Sequence, residues 1–217
     1  MKINAYRRIS GQIECITGLH IGGSADQIDI GGVDLPIIKH PVTGEPYIPG
    51  SSLKGKMRSQ LEKKIGINDK GEPCGCGGPT CLICKVFGAH KNTRHNLGPT
   101  RILVRDAQLS NESKVEYANM MKAKGTSYIE KKVENVVNRK TGTAEHPRSQ
   151  ERVPSGATFD FEIILQLYDT DDEGAMVDFV KKGLKDVETT YLGDFGSRGS
   201  GQVKFTGLKI DGHSFTL

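Results

Sequence analysis

Hydrophobic and polar residues alternate in several stretches of the chain, and this period of two predicts β-strands. The stretches are residues 6–17, 101–109, 159–167 and 201–210. In the first, Ile9, Ile13 and Cys15 stand on odd positions with polar residues between them, so Cys15 is expected in the core. In the last, the phase slips near Gly207, which predicts a β-bulge.

Apolar residues that recur every third or fourth position predict two helices. The apolar stripes are Leu53, Met57, Leu61 and Ile65 in the first helix, and Met176, Phe179, Val180, Leu184 and Val187 in the second. The sequence Pro-Gly-Ser-Ser at 49–52 predicts a turn with a hydroxyl N-cap before the first helix, and Gly66 is the expected stop.

The order of these elements is strand, helix, strand, strand, helix, strand. This order predicts an α+β fold with a ferredoxin-like (RRM-related) βαββαβ core, in which two helices cover one face of an antiparallel sheet. The 217 residues are enough for one domain. The remaining mass falls into three insertions: an acidic loop at 22–49, a Cys-rich loop at 66–98 and a charged segment at 111–155.

Composition narrows the class of protein. Charged residues make up 26% and hydrophobic ones 35%, which is typical of a soluble globular domain, and no apolar run is long enough for a membrane span. The N-terminus lacks the apolar stretch of a secretory signal, so a cytoplasmic location is expected. The net charge of +4 permits a nucleic-acid partner without requiring one.

Four cysteines form the strongest metal signal, in the spacing Cys74-x-Cys76-x4-Cys81-x2-Cys84. Four thiolates in a loop rich in Gly and Pro can surround one tetrahedral Zn²⁺, and a closed four-thiolate site would be structural. An iron–sulfur cluster, a redox role or a coincidental cluster are the alternatives. His90 or His95 could replace one of the ligands.

Residues 50–56 match the first seven positions of a phosphate-binding P-loop, but Met57 stands where Ser or Thr is needed for magnesium. The segment is also predicted to be helical, so an NTPase is disfavoured. The segment can still attract phosphate through the free N–H groups at Ser51–Ser52 and a cationic stripe of Lys54 and Arg58. The alternative is an ordinary solvated helix face.

Two other loops carry candidate chemistry. The glycine-rich loop at 193–201 runs into a strand, which excludes a Rossmann motif but allows close approach to a phosphate, with Arg198 embedded in it. A tight connector is the alternative. The first long loop holds three aspartates, Asp26, Asp29 and Asp34, whose carboxylates could hold a divalent ion, although loop aspartates are usually just solvated. His20, just before this loop, could act on protons or phosphates.

Four motifs taken together resemble the repeated backbone subunit of the type III-A CRISPR effector, the Csm complex, within the RAMP superfamily. They are GLHIGG at 18–23, DLPIIKHP at 34–41, IPGSSLKGKMR at 48–58 and GSRG at 196–199. The resemblance extends in order over nearly the whole chain. It implies a single RAMP domain, residues 1–217, that polymerises as a helical filament along a CRISPR RNA beside other Csm subunits.

The resemblance also implies site residues. Asp34 matches an aspartate that cuts target single-stranded RNA with Mg²⁺ or Mn²⁺, at about six-nucleotide intervals, where a thumb hairpin interrupts guide–target pairing. His20, Ser51, Ser52, Lys54 and Arg58 match positions that contact the guide backbone, and the segment 134–152 matches the thumb. Arg139 in the thumb and Arg198 in the glycine-rich loop are the further RNA-contacting candidates.

Two other functions stay open on the sequence alone. The first is a purely architectural subunit that binds guide RNA and has an inert acidic loop. The second is a RAMP endoribonuclease that processes precursor CRISPR RNA without metal, with His20 or another residue as the base.

Overall fold

The computed structural model describes residues 1–23, 34–66, 71–125 and 128–217, and in these it contains one seven-stranded antiparallel sheet and a separate two-stranded hairpin. The strands of the main sheet are β1 (Ile3–Cys15), β2 (Tyr47–Ile48), β3 (Ile102–Val104), β4 (Ala107–Leu109), β7 (Thr158–Tyr168), β8 (Val203–Ile210) and β9 (His213–Ser214). The hairpin strands are β5 (Glu130–Val137) and β6 (Ala144–Arg152). The helices are α1 (Gly50–Ile65), α2 (Leu82–Phe87), α3 (Asn111–Lys124) and α4 (Glu173–Thr189).

The strand order of the main sheet is β2-β4-β7-β1-β8-β9, and β3 also pairs with β7. The long strands β1 and β7 lie side by side at the centre. The predicted second strand is split into the short β3 and β4, which occupy successive parts of the same edge of β7. With that pair taken as one strand, the arrangement is the ferredoxin-like one, and the predicted α+β fold is confirmed.

The predicted bulge lies where β1 meets β8. Ser10 pairs with Lys209 and Gln12 pairs with Thr206, so the register shifts between these two pairs. Gly207 has φ +58°, a left-handed conformation that suits glycine. A Cβ on Gly11 would lie 2.8 Å from the carbonyl oxygen of Thr206, so Gly11 allows the close approach of the two strands, whereas Gly207 supplies the backbone conformation of the bulge.

Both predicted core helices are present, with two corrections. The predicted hydroxyl N-cap of α1 is wrong, because Pro49 occupies the N-cap position and Ser51 and Ser52 lie in the first turn. Ile65 is 63% exposed, so it does not extend the buried stripe formed by residues such as Leu61. Gly66 ends the helix, as expected.

A buried ion pair anchors the start of β3 to the turn after β7. Arg101 donates from Nε to Asp171 at 2.9 Å, and both side chains are fully buried. The same guanidinium donates to the carbonyl oxygens of Leu97 and Pro99, at the end of the Cys-rich segment. Although burial raises the pKa of Asp171, the hydrogen bonds from Arg101 and the Tyr168 amide outweigh it and lower the pKa.

The insertion at 111–155 contains α3 and the hairpin β5–β6. Ser110 caps α3 by accepting a hydrogen bond from the amide of Ser113, and Gly125 ends it in a left-handed conformation.

In the part of the chain that is described, no helix has the length and hydrophobicity to cross a lipid bilayer.

Candidate nucleic-acid interface and metal centre

The four cysteines of the Cys-rich loop converge in space, with their Sγ atoms all within 4.8 Å of one another. Cys84 Sγ lies 3.6 Å from Cys74 Sγ and 3.7 Å from Cys76 Sγ, and Cys74 Sγ lies 3.9 Å from Cys81 Sγ. Four sulfurs around one Zn²⁺ at about 2.3 Å are about 3.8 Å apart, so these separations fit a tetrahedral four-thiolate site.

The backbone around the cluster also suits a metal centre. The amides of Gly78 and Cys84 point at the sulfurs of Cys76 and Cys81, each at 3.5 Å. Such N–H donors orient and stabilise thiolate ligands. The Gly78 amide is the main reason why the pKa of Cys76 is lowered to about 7, whereas burial raises the pKa of Cys81 and Cys84.

Neither His90 nor His95 is part of this cluster. Among the described residues, the group that could hold a metal ion consists of the four cysteines. His95 Nδ1 accepts a hydrogen bond from the Leu97 amide at 3.2 Å. His90 contributes its backbone, whose amide donates to the carbonyl oxygen of Cys74 at 3.2 Å. The arrangement therefore favours a site of four thiolates over one in which a histidine replaces a thiolate.

The cysteine loop is joined to α1 through Arg58. This side chain donates from Nε to Glu62 at 2.8 Å and from Nη2 to the Cys74 carbonyl oxygen at 2.7 Å. Glu62 in turn accepts from the Cys74 amide at 2.8 Å. Arg58 and Glu62 therefore hold both backbone groups of the first cysteine, and each side chain is only 15% exposed.

The start of α1 keeps fewer free donors than the sequence suggests. The Gly50 amide donates to Asp106 Oδ1 at 2.7 Å, and the Ser52 amide donates to the Pro49 carbonyl at 2.9 Å. The Ser51 side chain is exposed and that of Lys54 is half-buried. Partial burial, with a further contribution from the charge of Arg58, lowers the pKa of Lys54.

The glycine-rich loop packs against α1. Lys56 Nζ lies 3.2 Å from the centroid of the Tyr191 ring, a cation–π contact, and a Cβ on Gly196 would collide with the same ring. Gly201 has φ +78°, and a Cβ there would collide with the Leu192 carbonyl oxygen. The glycines therefore let this loop fold tightly beside the helix.

His20 is the link between the glycine-rich loop and the hairpin. The residue is 3% exposed, and its ring packs against Phe195 with the ring centroids 5.0 Å apart. Its Nδ1 lies 2.7 Å from the Glu151 carbonyl oxygen, which can only accept, so Nδ1 carries the proton. The amide of Asp194 donates to the His20 carbonyl oxygen at 2.9 Å.

Arg198 lies at the base of the hairpin. Its Nη1 is 2.8 Å from Glu134 Oε2, and its backbone carbonyl accepts from Lys132 Nζ at 3.0 Å. A hydrogen bond from Lys132, assisted by the charges of Arg198 and Arg152, lowers the pKa of Glu134. Arg198 is nevertheless 49% exposed, so an ion pair with Glu134 leaves room for a second anionic partner.

Arg139 lies at the other end of the hairpin, in the turn between β5 and β6. It is exposed, and its Nη1 contacts the carbonyl oxygen of Val137 at 3.4 Å. Asn138 closes the turn by accepting from the amide of Lys140. Arg139 is therefore well separated along the hairpin from the base, where Arg198 lies.

Asp34 is attached to the hairpin through Ser149. The Ser149 amide donates to Asp34 Oδ2 at 2.8 Å, and Ser149 Oγ donates to the same oxygen at 3.0 Å. These two hydrogen bonds lower the pKa of the exposed Asp34 carboxyl. Asp26 and Asp29, the other two aspartates of this loop, lie outside the described residues.

The sequence assigns 134–152 to the thumb hairpin but does not show that strand β6 holds other site residues. The last residues of β6 contact two of the predicted site residues and the glycine-rich loop: Ser149 bonds Asp34, the Glu151 carbonyl bonds His20, and Arg152 donates to Ser200 at 3.1 Å. Glu151 also uses its carboxylate, which lies 2.9 Å from Lys39 Nζ. The segment 149–152 is polar throughout, so its sequence carries no period that could have indicated these contacts.

Comparison with known proteins shows which family the sequence of this chain matches. The sequence model of the RAMP superfamily matches residues 12–204. A protein of Methanothermobacter thermautotrophicus named CRISPR system Cms endoribonuclease Csm3 is 46% identical over 213 residues, which covers 93% of this chain and 84% of that protein. A Streptococcus thermophilus protein of the same name is 41% identical over 204 residues, covering 93% and 88%.

A solved structure gives the same result. The crystal structure of a Csm3–Csm4 subcomplex of the type III-A CRISPR-Cas interference complex superimposes with a TM-score of 0.61 at 30% identity. The match covers 97% of this chain and 80% of that one.

Proposed function

Because this chain belongs to the RAMP superfamily and, within it, to the Csm3 group, we propose that it is a backbone subunit of a type III-A CRISPR effector complex that binds the guide RNA and cuts complementary RNA. The observation that carries the proposal is the convergence on strand β6. One strand of the hairpin holds the exposed acid Asp34 and, through Glu151 and Arg152, the loops expected to contact the guide.

The guide is held by its phosphates in this proposal, since sequence is read by base pairing. The donors that suit this role are side chains that reach the surface: the hydroxyls of Ser51 and Ser52 at the start of α1, the half-buried Lys54, and Arg198, which is 49% exposed. Arg139 at the tip of the hairpin suits a contact with the guide–target pair.

His20 and Arg58 take part indirectly in this proposal. His20 is 3% exposed and joins the glycine-rich loop to β6, while Arg58 joins α1 to the cysteine loop. Both side chains therefore shape the surface that the guide would follow. The burial of His20 also weighs against the guide-processing alternative, in which this residue would be the base.

Cleavage is assigned to Asp34. Its lowered pKa keeps the carboxylate ionised at neutral pH, which suits the holding of a cation better than the acceptance of a proton. Mg²⁺ retains several waters and is commonly held by one or two carboxylates together with substrate phosphates, so a single exposed aspartate fits Mg²⁺ or Mn²⁺. The bound ion would supply positive charge for the developing oxyanion.

The positioning of the RNA provides the rest of the catalysis. Attack by a 2′-OH requires the oxygen, the phosphorus and the leaving group in line, and displacement of one nucleotide by the hairpin would produce this alignment. Cuts are then expected at about six-nucleotide intervals, one for each subunit along the heteroduplex. This spacing requires copies of the chain to assemble as a filament on the guide, beside other Csm subunits.

The cysteine cluster is proposed to hold a structural Zn²⁺, since four thiolates leave no ligand position open for substrate. The cluster needs reduced thiols, which fits a cytoplasmic location. Through Arg58 and Glu62 the zinc loop would stiffen α1, the helix that carries the guide-binding donors.

The test is an Asp34→Ala variant in the assembled complex, with complementary RNA and Mg²⁺. Asp178→Ala, which removes an exposed carboxylate from α4, is the matched control. We expect Asp34→Ala to lose target cleavage while guide and target binding persist, and the control to cut normally. If no variant and no wild-type complex cuts the target, the subunit is purely architectural; cutting of precursor RNA by the isolated chain in a chelator would support the processing alternative.

A further inference from the structure

Asp34 is positioned by contacts from a strand that is distant in sequence. The segment that follows it runs beside β6: the Leu35 amide donates to the Ser149 carbonyl at 3.3 Å, and the Glu151 amide donates to the Leu35 carbonyl at 2.9 Å. The Ile37 amide adds a bond to Glu151 Oε2 at 3.1 Å. The backbone position of the acid is therefore set by the hairpin.

Ser149 adds control of the side chain itself. Its amide and its hydroxyl both donate to Asp34 Oδ2, at 2.8 and 3.0 Å. Among the described residues, Ser149 is the only residue other than Asp34 itself that donates a hydrogen bond to this carboxylate, and the side chain is exposed. Two bonds to one oxygen fix the rotation of the carboxylate and leave the other oxygen directed away from Ser149.

We propose that Ser149 is a positioning residue for RNA cleavage, which holds the Asp34 carboxylate in one orientation so that Oδ1 is available to the ion and the scissile phosphate. The proposal rests on the assignment of cleavage to Asp34. It adds that the hairpin expected to displace a target nucleotide also carries the acid, so the cut is fixed relative to the hairpin. Misplacement of a catalytic group by about 1 Å can cost a hundredfold in rate, so loss of the hydroxyl that orients Asp34 should slow cleavage measurably.

The experiment compares Ser149→Ala and Ser149→Thr in the reconstituted complex. Alanine removes the hydroxyl but keeps the amide bond to Asp34, whereas threonine keeps the hydroxyl and is well tolerated in a β-strand. Ser214→Ala, on the exposed edge strand β9, is the matched control. Single-turnover cleavage with saturating complex is measured beside target affinity and the melting temperature of the isolated subunit.

We expect Ser149→Ala to cut about tenfold more slowly with target affinity within about twofold of wild type, the effect of one lost charge-assisted hydrogen bond. Ser149→Thr should recover most of the rate. Wild-type cleavage by Ser149→Ala, equal slowness of the threonine variant, or a parallel loss of target binding would each overturn the positioning role.

Asp34→Ala in the same series separates this inference from the proposed function. An inactive Asp34→Ala beside a fully active Ser149→Ala would refute only the role of Ser149. Normal cutting by Asp34→Ala would remove the acid itself from the mechanism, and the positioning role with it.

Discussion

Substitution of Arg58 tests whether the cationic stripe of α1, Lys54 and Arg58, binds RNA or stabilises the fold. The sequence pairs Lys54 with Arg58 as two phosphate contacts, but the structure gives the Arg58 guanidinium two internal partners, Glu62 at 2.8 Å and the Cys74 carbonyl at 2.7 Å. The perturbation is therefore two single variants, Lys54→Ala and Arg58→Ala. Lys63→Ala, at an exposed position of the same helix, is the control.

The expected size follows from these contacts. A hydrogen bond to a charged group contributes about 1.5–3 kcal/mol when well buried, and the 15% exposure of both side chains reduces this by solvent screening. Arg58→Ala should therefore lower the free energy of unfolding by about 2 kcal/mol, with a fall of about 4–8 °C in melting temperature for a chain of this size. Lys54→Ala should change stability little, because no internal ion pair of Lys54 is found in the described residues.

RNA binding should show the opposite pattern. Loss of one phosphate contact lowers the slope of log affinity against log salt by about 0.7 for a single strand. We expect that change for Lys54→Ala and none for Arg58→Ala, provided that binding is measured at a temperature where both are folded. Denaturant unfolding and guide-RNA titrations at several salt concentrations give both quantities. If Arg58→Ala flattens the salt slope and leaves stability unchanged, the structural role of Arg58 between Glu62 and Cys74 is refuted, and Arg58 contacts phosphate instead.

Two further predictions concern the anchors of the cysteine loop. Metal analysis should find about one zinc per chain. Removal of the zinc with a chelator, or loss of one ligand in Cys84→Ser, should lower the melting temperature. A wild-type protein without metal would contradict the four-thiolate site. The lowered pKa of Asp171 means that its contribution to stability is complete above its unfolded value of about 3.9 and is lost as pH falls through the lower folded value. Asp171→Asn should thus be clearly less stable than wild type in denaturant at neutral pH, with the difference narrowing below about pH 4; a gap that is constant with pH would contradict the role of the charge.

The core could be predicted because its signals are local. Phe159, Phe161 and Ile163 alternate with two polar residues, and the positive φ of Gly207 follows from a phase slip visible in the sequence. The four-cysteine cluster is equally local, since its ligands lie within eleven residues. Each of these patterns needs only the period of the element or the reach of one loop.

The errors and omissions have a common cause in tertiary contacts. A serine after Pro49 is a reasonable N-cap, but the Gly50 amide is satisfied by Asp106, which is 56 residues away. Arg101 begins a predicted strand and gives no sign of being fully buried, since its partner Asp171 lies beyond the next long strand. Long-range pairs of this kind leave no period in the sequence.

The site depends on long-range contacts more than the core does, and this limits what motifs can indicate. The motif at 34–41 identifies Asp34, yet what holds that acid is Ser149, 115 residues further on, in a hairpin whose sequence shows only a charged and polar character. Likewise, a motif identifies Arg58 as a cation, but its neighbours decide whether the cation meets phosphate or the Cys74 carbonyl. Short motifs therefore identify which residues belong to this site. The roles of those residues depend on strand β6 and the cysteine loop, which bring distant segments into contact.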